Sequence, residues 1–288
     1  MFKYLSALVD LIKYRLSIAV VLSSVTGYYL CRNTSDHHLF FLIAGVFLLS
    51  CGSAVLNQYT ERIPDSIMKR TKTRPIPSGK ISKNNALGIS LVLLISGGIF
   101  LYSNGTIPFL LGIFTVMLYN LLYTNLKKVT IFSIIPGALV GALPPVIGYY
   151  SAGGTVFNHN ILAFSTFMFL WQIPHFWLIV IKYGKEYRAA GFATVSRYLN
   201  ETQIKYLVFF WVLSSNGFLF LNCILNDDFN KPLILIISLL NFLFISLFYR
   251  LLFVEKKSHG INGAFILLNS FGLFLMFLII AASFLKSL

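Results

Sequence analysis

Three oxygen-bearing side chains recur at every fourth position in one stretch of this 288-residue sequence: Asn57, Glu61 and Asp65. Residues four apart share one face of a helix, so an amide and a carboxylate meet there if the helix runs to about Ile63. Pro64 disfavours helical geometry at Ile63 and is expected to turn the chain, leaving Asp65 free to fold back. Such a set of hard oxygen donors suits Mg²⁺, which takes one or two carboxylates and leaves its other positions to water and substrate phosphates. Four cations, Lys69, Arg70, Lys72 and Arg74, follow directly. They could hold diphosphate oxygens, and a guanidinium can bind two at once. A basic loop alone is most often a topological anchor; the regular acid series ahead of it is what argues for a metal-bridged diphosphate.

The elements that must position this stretch are apolar. The chain is 57% hydrophobic and 11% charged, with a mean hydropathy of +0.78. Crossing a bilayer takes ~20 residues, and hydropathy predicts nine spans, near 16–31, 39–57, 86–102, 107–123, 130–150, 160–181, 206–225, 232–252 and 263–285. Lipid-exposed backbone must satisfy its own hydrogen bonds, so the spans are helices. The expected class is an all-α polytopic membrane protein, a single domain over residues 1–288. Pro144, Pro145 and Pro174 fall inside spans and are expected to break or kink them. Aromatic abundance suits lipid contact and helix ends, and argues for no ligand by itself. Cys31, Cys51 and Cys223 lie apart, without metal or redox spacing. Residues 1–15 read as neither a cleavable signal nor a transit peptide, which favours a bacterial inner membrane.

Lys and Arg set the orientation. With the N-terminus in the cytoplasm, 20 of the 23 fall on the inner side, leaving Arg32, Lys231 and Lys286 outside. Basic inner loops account for most of the +14 net charge, and anionic lipid is a sufficient partner for them, so no nucleic acid is implied. The two long connections, 58–85 and 182–205, are both inner. They follow the second and sixth spans, a spacing that suggests two related four-helix halves plus a final helix. Asp227 and Asp228 fall on the outer side, away from the metal-binding stretch. His37, His38, His159 and His259 are expected in loops without a specific role.

The string from Asn57 to Pro75, N-x-x-x-E-x-x-x-D-x-x-M-x-R-T-x-x-R-P, resembles the first signature of the UbiA superfamily of intramembrane prenyltransferases. Its Met68-x-Arg70-Thr71 version is similar to the protoheme IX farnesyltransferase branch. Further matches are Tyr123-Thr124 with Leu126-Lys127, Pro136-Gly137-Ala138, and Gly141 to Pro145 with Ile147-Gly148. Leu170-Trp171-Gln172-Ile173-Pro174-His175-Phe176, Glu186-Tyr187 and Ala190-Gly191-Phe192 complete the series.

The resemblance implies nine helices around a central cavity open to the cytoplasm, and transfer of farnesyl from farnesyl diphosphate to a vinyl group of heme B, giving heme O. Heme A synthase or terminal-oxidase assembly would be the downstream partners. Asn57, Glu61 and Asp65 would hold Mg²⁺ and diphosphate, with Glu186 where a second acidic signature begins. Lys69, Arg70, Arg74 and Lys128 would neutralise phosphate charge. His175, costly at membrane depth and of a type that ligates heme iron, would meet heme with Trp171 and Tyr187. Tyr119, Tyr123, Trp171, Phe176 and Tyr187 are candidates for the wall of the allylic cation.

The chain departs from the family pattern at Glu61, where Asp is usual, at Lys127-Lys128-Val129-Thr130, which loses an arginine fork, and at Ala193 to Ser196. A quinone-precursor prenyltransferase of the same superfamily, or a transporter or scaffold, are the alternative readings. For the orientation, a cysteine placed at Lys72 in a Cys31→Ser/Cys51→Ser/Cys223→Ser background should react with a membrane-impermeant maleimide in inside-out vesicles and be protected in right-side-out ones.

Overall fold

A computed structural model describes residues 2–32, 34–155, 158–225 and 231–285. Among them the regular structure is entirely helical. A short amphipathic helix, α1 (Phe2–Ile12), precedes α2 (Tyr14–Cys31) and α3 (His37–Thr60); α4 (Arg62–Ile67) follows at once. The next elements are α5 (Lys83–Tyr102), α6 (Thr106–Met117), a π-helical segment at Leu118–Tyr123, and α7 (Thr124–Val129). Then come α8 (Ile134–Ser151), α9 (His159–Ala189), α10 (Glu201–Leu225), α11 (Lys231–Tyr249), a second π segment at Arg250–Val254, and α12 (Lys257–Leu285).

Eight helical stretches among the described residues are long and apolar enough to cross a membrane. They match eight of the nine expected spans. The remaining one is α2, an 18-residue helix that packs along α8 and α3. Asp227, Asp228 and Lys286 lie outside the described residues.

Small residues bring the helices together where no hydrophobic effect can drive helix association within lipid. A Cβ on Gly27 would sit 1.9 Å from the Pro145 carbonyl oxygen, and one on Gly148 would sit 1.8 Å from that of Ser24. The α2–α8 seam is therefore backbone against backbone. Between α3 and α5, Gly97 plays the same part, since a Cβ there would lie 2.7 Å from the Leu49 nitrogen. The Ser90 hydroxyl donates to the Gly52 carbonyl across that interface, at 2.8 Å.

The apolar core divides into two larger bodies. One gathers Phe167, Phe248, Leu252 and Leu268 from α9 to α12, and the other Tyr28, Leu42, Leu49 and Leu101 from α2, α3 and α5. A cavity of about 430 Å³ lies between them, lined from α2, α3, α6 to α9 and α12.

The prolines do not break the chain where a break was expected. Helical structure runs through Pro144 and Pro145 in α8 and through Pro174 in α9. α2 closes on α8 at Pro145, and the Gln172 side chain lies against Gly141 one turn ahead of that proline. Pro64 does not make the bend either. The chain turns three residues earlier, at Glu61 (φ −96°, ψ 10°), and Pro64 sits in the first turn of α4, where the absent N–H needs no helical partner. The four histidines expected in loops are helical: His37 and His38 open α3, His159 opens α9 and His259 lies in α12. His38 Nδ1 lies 3.0 Å from Asn104 Oδ1.

Gly148→Val should drive the added carbon into the Ser24 carbonyl and cost at least 1–3 kcal/mol, a typical overpacking penalty. Gly88→Ala, with nothing within 4 Å of its new Cβ, should hold or raise stability. Thermal unfolding of detergent-solubilised protein checks both.

Candidate active site

The bend at Glu61 turns the acid series into a cavity mouth. Asn57 ends the buried face of α3, Glu61 occupies the corner, and Asp65 points back from α4; all three are buried, Asp65 completely, and all three line the cavity. Backbone bonds hold the corner, Glu61 N–H to the Asn57 carbonyl at 2.9 Å and Asp65 N–H to the Glu61 carbonyl at 2.8 Å.

Each acid has its own cation. Arg74 donates through one terminal nitrogen to both Asp65 oxygens, at 2.8 and 2.7 Å, and Lys127 forms an ion pair with Glu61. Asn57 Nδ2 donates to the Thr124 hydroxyl at 3.2 Å, which in turn donates to the Tyr119 carbonyl at 2.8 Å. Thr71 ties the following loop down by donating to the Asp65 carbonyl at 2.8 Å. An isolated carboxylate this deep would be strongly unfavourable, and each of these has a cationic partner.

The connection between α4 and α5 meets the end of α9 and the segment after it over this mouth. Met68 packs against Ala190, Phe192 and Tyr187. Arg70 donates to the Tyr187 hydroxyl at 2.9 Å and lies over the Tyr183 ring at 4.9 Å. Its backbone N–H donates to Glu186 Oε2 at 3.3 Å. Glu186 is thus placed as a clasp between loops and does not line the cavity.

Lys127, not Lys128, lines the cavity. Thr124 and Lys127 lie one turn apart on the face of α7 that meets α3, whereas Lys128 is exposed. Lys127 Nζ also lies 5.1 Å from the Tyr123 ring and 5.3 Å from Phe192. Lys69 and Lys72 are exposed and off the cavity lining, while Arg70 and Arg74 belong to it.

One cation escaped the sequence reading. Lys13, between α1 and α2, lines the cavity in a left-handed conformation (φ 48°, ψ 47°). Burial, and next the charge of Arg74, lower its ammonium to about 7. The sequence signal was only a lysine at the start of a predicted span.

Deeper in, aromatic rings line the cavity. Tyr119 and Tyr123 stack at 5.6 Å on the π-helical segment, and Tyr123 meets Phe176 at 5.9 Å. Four apart, these two tyrosines lie on the same face of their helical segment. On the other side α9 supplies Trp171 and His175. Trp171 Nε1 donates to the Leu268 carbonyl of α12 at 3.1 Å, and His175 Nδ1 lies 3.1 Å from Asn269 Oδ1. The result is an acid–base mouth above an apolar and aromatic chamber.

The model of the UbiA prenyltransferase family matches residues 20–271. The chain belongs to this family. Its relatives include proteins named protoheme IX farnesyltransferase from Oleidesulfovibrio alaskensis, 38% identical over 65% of this chain and 67% of that one, and from Geobacter sulfurreducens, 37% identical over 63% and 68%. The matched region spans about two thirds of these relatives' length. Among solved structures, a digeranylgeranylglyceryl phosphate synthase superposes with a TM-score of 0.75 at 18% identity, covering 99% of both chains. A UbiA homologue from Archaeoglobus fulgidus bound to GPP and Mg²⁺ superposes at 0.69 with 12% identity, covering 96% of this chain and 99% of that one. These structures share the UbiA fold, and together with the apolar helices the family makes this a multi-pass membrane protein.

Lys127→Met should strand Glu61 as a buried unpaired charge and cost about 3–5 kcal/mol. Adding Glu61→Gln should recover part of that loss, and Lys128→Ala should change stability by under about 0.5 kcal/mol, as exposed substitutions do. Chemical denaturation of the four proteins checks the coupling.

Proposed function

We propose that this protein transfers the farnesyl group of farnesyl diphosphate to a vinyl group of heme B, making heme O. The observation that carries the reading is the arrangement of two acid–base pairs at the mouth of a chamber walled by stacked tyrosines and by His175, in a UbiA family chain whose relatives are named for this reaction.

Asn57, Glu61 and Asp65 would hold Mg²⁺, which supplies charge stabilisation for the departing diphosphate. The donors fit, being oxygen only.

Arg74, Lys127, Arg70 and Lys13 meet the diphosphate itself. Its bond to the allylic carbon breaks with the electron pair leaving on oxygen, so negative charge grows where these cations converge. Asp65 and Glu61 already neutralise Arg74 and Lys127; when acids turn to the metal and bases to the phosphates, every buried charge keeps a partner. Tyr119, Tyr123 and Phe176 present ring faces to the allylic cation and keep stray water from it. The terminal vinyl carbon forms the new carbon–carbon bond, and water adds to the neighbouring carbon and loses a proton to leave the hydroxyl.

His175, with Trp171 and Tyr187, would receive heme B. Glu186 acts through Arg70 by holding the loop, and Lys69 and Lys128 add only long-range attraction from the exposed face. The basic inner loops support a cytoplasmic mouth, a cytoplasmic N-terminus and residence in the inner membrane, where heme A synthase or terminal-oxidase assembly would take the product.

Protein reconstituted in lipid with heme B, farnesyl diphosphate and Mg²⁺ should yield heme O by mass. Asp65→Asn should lower the rate at least about a hundredfold, the scale of losing one electrostatic stabiliser. Turnover of a hydroxybenzoate with no heme O would overturn the assignment in favour of a quinone-precursor prenyltransferase.

A further inference from the structure

Asn269 stands out as a polar side chain in the apolar α12, at the wall of the cavity. Its Nδ2 donates to the Phe265 carbonyl, one turn back, at 2.6 Å. The reverse orientation of the amide would set two oxygens against each other at that distance, so the network assigns Oδ1 to the His175 side. An amide oxygen only accepts. His175 Nδ1, 3.1 Å away, is therefore the protonated nitrogen, and in a neutral imidazole the lone pair then resides on Nε2.

The same turn of α12 fixes the surroundings of the ring. The Leu268 carbonyl takes the Trp171 indole N–H, and Trp171 lies 5.4 Å from the imidazole. Phe265 lies 4.9 Å away on a tilted plane, and Phe176 meets the ring edge-on at 5.7 Å. Held by these contacts, with Nδ1 turned to α12, the imidazole keeps Nε2 as the nitrogen left for the cavity that His175 lines.

We propose that Asn269 is a positioning residue that locks His175 in the Nδ1–H tautomer and so presents Nε2 as the iron ligand for the heme substrate. The proposal rests on the reading of this chamber as a heme site. A second partner of this kind sets both tautomer and ring orientation in metal-ligating histidines, and its loss typically costs 10–100-fold in affinity. The neutral amide accepts without adding charge. It makes His175 a weaker donor than a carboxylate partner would, which suits a substrate that must leave after one turnover.

The test is a visible-spectrum titration of ferric heme B into full-length protein in detergent, comparing wild type with His175→Gly, Asn269→Ala and Asn269→Asp. Thermal stabilisation by farnesyl diphosphate with Mg²⁺, read at the other end of the cavity, confirms that each variant is folded. His175→Gly should lose the imidazole-ligated spectrum and regain it with added imidazole. Asn269→Ala should bind heme at least about tenfold more weakly, with a spectrum shifted toward that of His175→Gly. Asn269→Asp, which as the buried neutral acid donates its O–H to the Phe265 carbonyl and accepts from His175 Nδ1–H through its other oxygen, should retain an imidazole-ligated spectrum. If His175→Gly alters the spectrum while Asn269→Ala leaves both spectrum and affinity unchanged, or if Asn269→Asp behaves like His175→Gly, the positioning role is overturned. A wild-type spectrum in His175→Gly would instead remove the iron-ligation reading beneath it.

Discussion

Two carboxylates buried at the mouth of the cavity must each keep a positive partner, and this constraint organises the structure. Removing a carboxylate from water costs several kcal/mol even after relaxation, and Coulombic attraction repays that only with close geometry. Glu61 meets Lys127 from α7, and Asp65 meets Arg74 from the loop behind α4. The bend at Glu61, the short α7 and the loop past Thr71 are each needed to bring opposite charges together. The same four groups match a metal cation and a diphosphate, so an arrangement required for folding is already close to one required for chemistry.

The acid series, the arginines and the apolar spans were legible in the sequence because they depend on local rules: residue type, spacing and hydropathy. Asn57, Glu61, Asp65, Arg70 and Arg74 all reach the cavity. What failed depended on helix phase or on neighbours. Lys127 and Lys128 are adjacent, and only the face that α7 turns to α3 separates them. Pro64 looked like the bend because proline restricts the residue before it, yet the turn at Glu61 let the proline fall in a first turn where it costs nothing. Pro144 and Pro174 stay within continuous helices, as membrane helices tolerate proline. No local pattern announces the π segment at Leu118–Tyr123. Asn269 could have been found, since a polar side chain in an apolar span is a functional candidate by default.

The fold keeps the mouth and the chamber chemically distinct. Charge is concentrated where α3, α4 and α7 meet, and the wall between α9 and α12 is held by one imidazole, one indole and one amide. The two apolar bodies on either side bear on the chamber through helices that also carry its side chains, so packing and site geometry share the same residues. Trp171 belongs to the core and to the cavity lining at once.

Lys13 is the one non-glycine residue with positive φ among those described, and such a conformation costs of order 1–3 kcal/mol unless its surroundings enforce it. The enforcement comes from α1: Ala7 and Leu11 are buried against Val55, Ile76 and Ile81, and Gln58 donates to the Leu11 carbonyl at 2.6 Å. The amphipathic α1 thus works as a lever arm. Its grip on the bundle stores the twist that aims an ammonium group at the mouth, and the site's electrostatics extend to residues that never touch a substrate.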